Sequence, residues 1–300
     1  MLYDLNIPWS SSMTQDELLQ ILTLSSSLGY ATVALNHTLK LPFPANIVAP
    51  FPAILASSSS TKLPNILHRG TLELQDPSAS NYRLASLVAA YDILAVRPLE
   101  DKAFQNACLT LDVPIISMDF TKHIPFHFRP KPCMAAVTRG VRFEICYSQA
   151  LAAGAQGRSN FISNVTSLIR ATRGRGIMIS SEAKDALGLR APADVVNLLN
   201  VWGLASEKGM QGLGAIPRSV VVNEGIKRSG FRGVIDVVAV AERDQAEEEA
   251  STPSDATGKK NKHRGQNQKR KSGDEEPQPM SKRQAKKMKL ASRAAGAEKK

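Results

Sequence analysis

Short apolar runs rich in β-branched residues alternate with amphipathic helical patterns over the first 240 residues, and this alternation limits the possible folds more than any other feature. Strand patterns fall at residues 2–6, 31–36, 66–74, 93–97, 114–118, 141–145 and 176–180. Helical patterns lie between them at 14–28, 81–90, 101–111 and 160–172, with a final pair at 192–199 and 220–229. The first helix opens on Thr14 with Glu17 three residues on, the spacing of a capping box. Such alternation specifies parallel βαβ units, and the length suits one α/β domain, a TIM-like (β/α) barrel of seven to eight strands. A doubly wound open sheet would give the same alternation. No Gly-x-Gly-x-x-Gly follows the first strand, which argues against its dinucleotide-binding form. The Pro- and Ser-rich stretch 41–64 reads as a loop or insertion, and no internal repeat is visible.

The pattern stops near Val240. With 43% hydrophobic residues overall the chain can build a sizeable core, yet its last sixty residues contain no Phe, Trp or Tyr. Charge divides the same way. Residues 1–241 hold 22 basic and 17 acidic side chains, residues 242–258 hold 1 and 6, and residues 259–300 hold 15 and 4. We therefore expect a barrel over 1–240, an acidic linker over 241–258 and a disordered basic tail over 259–300, a composition suited to a nucleic-acid partner. The tail clusters at 259–271 and 282–289 look like nuclear-import signals or RNA tethers. Cys108, Cys133 and Cys146 are odd in number and lack Cys-x-x-Cys spacing, as expected of reduced, buried thiols in an intracellular protein. No apolar run approaches a membrane span, and Asp4 within the first strand argues against a signal peptide.

Two segments carry a family resemblance. GVRFEICYSQAL, residues 140–151, joins a buried strand to the start of a helix, and TRGRGIMISSEAKDALGLRAPADVVNLLNVWGL, residues 172–204, follows it in order. Both resemble signature blocks of the TIM-barrel-like protein subunit family of ribonuclease P and ribonuclease MRP, a family related to the PHP phosphoesterase barrels. The resemblance spans about residues 1–240 and is strongest over 125–204. It implies a non-catalytic barrel that braces a catalytic RNA during tRNA 5′ maturation and rRNA processing. The RNA would supply the active site and bind Mg²⁺, with no cofactor on this chain. It further implies ribonuclease P RNA and MRP RNA as partners, a small αβ-sandwich subunit and other holoenzyme proteins, import receptors reading the tail, and residence in the nucleus and nucleolus.

A metal-dependent phosphoesterase is the rival. PHP enzymes place His-x-His at the end of the first strand, where this chain has Asp4 and Asn6 in YDLNIP. Asn is a poor zinc or manganese ligand, since a catalytic site needs several anionic or imidazole donors and an open position. His37 and His68 fall near barrel strands, while His123 and His127 are separated by Pro125, which disfavours a helix that would pair them. All four read more simply as polar or half-buried side chains, so the expected metal set is none. Neither a Gly-x-Ser-x-Gly elbow nor a His partner for Cys146 is evident, so no catalytic residue is assigned. A third reading is a nucleolar barrel that binds through its tail alone.

The remaining candidates are structural or electrostatic. Ser180 and Ser181 end the seventh strand, where they could bind a phosphate or, with Glu182, begin the next helix. Alternation puts Val141, Phe143 and Ile145 on one face and Arg142 and Glu144 on the other, either as core plus a helix-facing ion pair or with Glu144 and Tyr147 organising the strand end. Lys122, Arg129, Lys131 and Arg139 precede the signature, and Arg158, Arg170, Arg173 and Arg175 flank the next helix and its glycine-spaced loop. These eight are the candidate RNA contacts, acting on backbone and shape because aromatic platforms are scarce.

Overall fold

The computed structural model describes residues 1–41, 47–52, 63–75 and 84–229. Chain contacts separate Met1–Val240 from Ala241–Lys300, and the acidic linker, the basic tail and most of the 41–64 insertion lie outside the described residues.

Seven parallel strands pair strictly in chain order: β1 (Leu2–Pro8), β2 (Tyr30–Leu39), β3 (Asn65–Leu74), β4 (Ile93–Pro98), β5 (Ile115–Ser117), β6 (Arg142–Cys146) and β7 (Ile177–Ser180). They curl into a nearly closed barrel. Around them run α1 (Gln15–Ser27), α2 (Leu84–Ala90), α3 (Asp101–Leu109), α4 (Pro130–Thr138), α5 (Tyr147–Ala152), α6 (Ala155–Thr172), α7 (Pro192–Val201), α8 (Ser206–Leu213) and α9 (Ala215–Ser229). The expected box starts α1: Glu17 N–H donates to Thr14 Oγ1 at 3.3 Å and Thr14 N–H to Glu17 Oε2 at 2.9 Å.

Two helices depart from the sequence reading. Pro130 and Pro132 hide α4, but both sit in its first turn, where a missing N–H leaves nothing unpaired that was not already so. The expected final pair is a trio, because three glycines within 203–212 break the pattern around α8. Gly209 and Gly212 are nonetheless buried: a Cβ on Gly212 would lie 3.0 Å from the Ile177 carbonyl oxygen. The glycines let α8 press onto α7 and β7.

The outward side chains of the strands, among them Val33, Leu35, Leu72, Leu94, Ile116, Phe143, Ile145 and Ile179, pack beneath the helices in the main core. The inward side chains form two rungs. Near the strand N-termini, Tyr3, Leu5, Ala34, Ile93, Ala95, Ile115 and Met178 make a second apolar cluster with Val220 of α9, which closes that mouth of the barrel. Two residues further along, the same faces turn polar: Asn36, Arg69, Arg97, Ser117, Glu144 and Ser180.

One bulge completes this ring. In the β1–β2 register Asp4 opposes Val33 and Ile7 opposes Leu35, so three steps of β1 match two of β2. The extra residue lets Leu5 and Asn6 both reach the interior and turns Asp4 toward β7. Between β7 and β1 there is no eighth strand among the described residues. The gap is bridged by Glu182 N–H donating to the Asn6 carbonyl at 2.8 Å and Ser181 N–H donating to Asp4 Oδ1 at 2.9 Å.

Candidate functional site

Glu144, placed by its parity on β6, enters the barrel instead of facing a helix. The helix-facing Arg142–Glu144 pair is thus incorrect: the apolar face carrying Phe143 and Ile145 meets the helices, and the charged face meets the lumen. Arg69 of β3 forks onto Glu144, Nη1 to Oε1 and Nη2 to Oε2, each at 2.6 Å, and both side chains are wholly buried. Arg69 Nη1 also donates to the Leu5 carbonyl and Nε to Thr71 Oγ1. Thr71 donates to Asn36 Oδ1, Asn36 to Asn6 Oδ1, and Asn6 to Glu144 Oε2 at 3.2 Å and Cys146 Sγ at 3.3 Å. The chain of bonds links β3, β2, β1 and β6 and, by crossing the lumen, returns to its start. Burial opposes ionisation of Glu144, but the Arg69 charge and its two hydrogen bonds outweigh it and hold the carboxyl below its ordinary range.

Above this ring lies a second tie. Arg97 Nη2 donates to Glu182 Oε1 at 2.7 Å and Gln149 Nε2 donates to Glu182 Oε2. Gln149 also binds the backbone of Met118 and Phe120, so β4 and the segments after β5, β6 and β7 are joined. Glu182 adopts φ 54°, uncommon for a residue with a side chain, and these bonds hold it there. No helix starts at Ser181, which corrects the capping alternative. Its Oγ instead donates to the Asn6 carbonyl and accepts from Ala183 N–H, and both Ser180 and Ser181 are buried. Tyr147 is buried too, its hydroxyl accepting from Arg190 N–H at 3.1 Å. Over these ties opens a cleft of about 600 Å³ lined by Arg97, Gln149, Glu182, Lys184 and Arg190 among others.

The four histidines among the described residues lie away from this lumen. His37 and His68 project outward, His37 Nδ1 lying 2.8 Å from the Tyr91 hydroxyl and His68 stacking on Phe51 at 4.5 Å. His123 and His127 are exposed in the segment after β5. Among the described residues no group of three or more His, Cys, Asp or Glu side chains could hold a metal ion. The positive charge at the centre of the lumen is the Arg69 guanidinium.

The eight basic candidates do not share one face. Helices run opposite to strands, so the start of α4 and of α6 lies at the C-terminal mouth with Lys122, Arg129, Lys131 and Arg158. The ends of the same helices, with Arg139, Arg170, Arg173 and Arg175, lie at the N-terminal mouth. The 18 residues of α6 put about 27 Å between the two sets. Three of the eight are engaged: Lys122 with Asp119 at 3.1 Å, Arg139 with the Cys108 and Leu111 carbonyls, Arg158 with those of Ala150 and Ala153. Arg129, Lys131, Arg170, Arg173 and Arg175 are exposed, with no side-chain partner among the described residues. Sequence reasoning missed Arg69, Arg97, Gln149 and Lys208. Arg69 left a signal, a guanidinium in the middle of an expected strand.

The chain matches the family described as RNase P subunit p30 over residues 1–229. It is similar to the Probable ribonuclease P protein subunit 3 of Schizosaccharomyces pombe, at 34% identity over 79% of this chain and 99% of that one. It is also similar to the Ribonuclease P protein subunit p30 of Mus musculus, at 31% identity over 75% and 87%, and to the Ribonuclease P/MRP protein subunit RPP1 of Saccharomyces cerevisiae, at 30% over 78% and 84%. A chain in the cryo-EM structure of archaeal ribonuclease P with mature tRNA superposes with a TM-score of 0.60 and 12% identity, covering 80% of this chain and all of that one, a likeness of fold.

Proposed function

This chain belongs to the RNase P subunit p30 family, and from that premise we propose that it is a non-catalytic protein subunit of the ribonuclease P and ribonuclease MRP ribonucleoproteins. The observation that carries the non-catalytic part is the Arg69–Glu144 pair. The carboxylate nearest the centre of the lumen is already neutralised by a guanidinium, and its Oε2 also accepts from Asn6. Asp4 Oδ1 accepts from Ser181 and Asn6 N–H groups, while its Oδ2 is buried without a partner among the described residues. A metal phosphoesterase would need the Glu144 carboxylate free to coordinate.

In this role the barrel is a rigid brace. It contacts the RNA of the particle through exposed guanidinium and ammonium groups, while the RNA supplies the active site and binds Mg²⁺. A small αβ-sandwich subunit is its protein neighbour, other holoenzyme proteins complete the assembly, and the basic tail engages import receptors that bring it to the nucleus and nucleolus. Sequencing the RNA that co-purifies with the full chain tests the reading. Recovery of ribonuclease P RNA and MRP RNA is expected, and recovery of neither would overturn it. A phosphodiesterase activity of the purified chain that responds to added Zn²⁺ or Mn²⁺ would favour the enzyme instead.

A further inference from the structure

The loop that ends α6 is held in a costly shape. Arg173 has φ 55°, left-handed for a residue with a side chain, and Gly174 and Gly176 follow at 66° each. Left-handed backbone is disfavoured for a side-chain-bearing residue and persists where surrounding contacts enforce it. The backbone bonds of Arg173, Gly174 and Arg175 to the last turn of α6 are those of a helix end and would form in many sequences. One contact is different in kind. Lys208 of α8 is half-buried, its stem lies over Gly174, and its ammonium donates to the Arg173 carbonyl at 2.6 Å. A Cβ on Gly174 would lie 3.0 Å from Lys208 Cδ and 3.1 Å from Nζ, so the glycine gives the lysine its seat.

Around this seat stand Arg170, Arg173 and Arg175, exposed and without carboxylate partners among the described residues. Free cations at a helix C-terminus favour the helix dipole, which accounts for a small stabilisation there. It does not account for a fourth cation spent on a backbone oxygen. We propose that Lys208 is a positioning residue for RNA: by fixing the Arg173 carbonyl it presents Arg170, Arg173 and Arg175 together as one phosphate-contacting surface at the N-terminal mouth of the barrel. This rests on the RNA-binding reading above and selects one of the two basic ends for it. At the opposite end the exposed, unpartnered Arg129 and Lys131 precede and begin α4, with no comparable cross-element tie.

The test measures affinity of the full chain for the ribonuclease P RNA as a function of salt. Lys208→Met, which keeps the stem over Gly174, should weaken binding by roughly three- to tenfold, the range of one net hydrogen bond. Lys208→Arg should restore most of it. Arg173→Ala with Arg175→Ala should weaken binding and lower the salt slope by about one unit per lost phosphate contact. In that double variant, where only Arg170 of the three remains, Lys208→Met should have a much smaller effect. A loss that persists there in full would make Lys208 a direct phosphate contact and overturn the positioning role, as would an unchanged affinity for Lys208→Met alone. If the arginine double variant binds as the parent does, the RNA face lies elsewhere, and both this inference and its premise about the loop fall. Should Lys208→Met fail to unfold cooperatively, Gly174→Ala displaces the same ammonium from the other side and is read against the same outcomes.

Discussion

Arg69 and Glu144, on strands that are not neighbours, meet across the lumen in a two-point ion pair with no solvent exposure on either side chain. Removing one partner leaves a charge stranded in the barrel. Glu144→Ala or Arg69→Ala should cost about 3–5 kcal/mol in urea unfolding. The double replacement Arg69→Met with Glu144→Leu should recover much of that, because no charge remains to be solvated. Single variants within about 0.5 kcal/mol of the parent would place the pair in contact with water.

Asp4 makes the stability of the fold depend on pH. Burial raises its carboxyl to about 6, against hydrogen bonds from Ser181 and Asn6 that favour ionisation. A folded-state value above the unfolded one means that its contribution is fully present below about pH 4 and is lost as pH rises through about 6. Asp4→Asn resembles the protonated form and should gain on the parent across that window, levelling off at up to about 3 kcal/mol. Denaturant titrations at pH 4, 5, 6 and 7 measure the divergence. Parallel curves would show that Asp4 ionises in the fold as it does in the unfolded chain.

Phe143 lies under the helices, fully buried, with its ring 6.2 Å from that of Phe104. Phe143→Ala should destabilise by about 3–5 kcal/mol, and Phe143→Leu by less, as read from the denaturation midpoint at unchanged slope.

Gly176 combines φ 66° with a wall. A Cβ there would meet Val137 Cγ2 at 2.8 Å. Gly176→Ala should cost about 1–3 kcal/mol. Adding Val137→Ala should return only the clash and leave the backbone strain. Gly203, at φ 97° with open space around it, gives strain without the clash for comparison.

The strand register and the two-sided character of each strand were legible because a parallel barrel writes its inside and outside into alternate residues. Val141, Phe143 and Ile145 are where alternation put them. What alternation could not say was which face looks inward. In most strands the lumen face is a mixture of small, apolar and polar residues and the helix face is the greasier one, so Glu144 reads as surface until Arg69 is found opposite it. That pairing is invisible in one dimension because 75 residues separate the two. The bulge in β1 was hidden for a related reason: it is a mismatch between two strands, and neither sequence alone contains it. The basic residues divide between the two mouths because positions that are close in sequence along α4 and α6 lie at opposite ends of those helices.

The open joint between β7 and β1 has a consequence for how the chain reaches this shape. Every hydrogen-bonded strand pair links neighbours in sequence, so the sheet can grow as a scroll with only modest loops to close at each step. The exceptions are the bonds from Ser181 and Glu182 back to β1, of which the one from Ser181 to Asp4 spans 177 residues. Ring closure is thereby concentrated in a single late event, made by a carboxylate and a few amides instead of a full ladder. The joint is the natural place for the ring to part first, and amide exchange at Ser181 and Glu182 is where its breathing would be read.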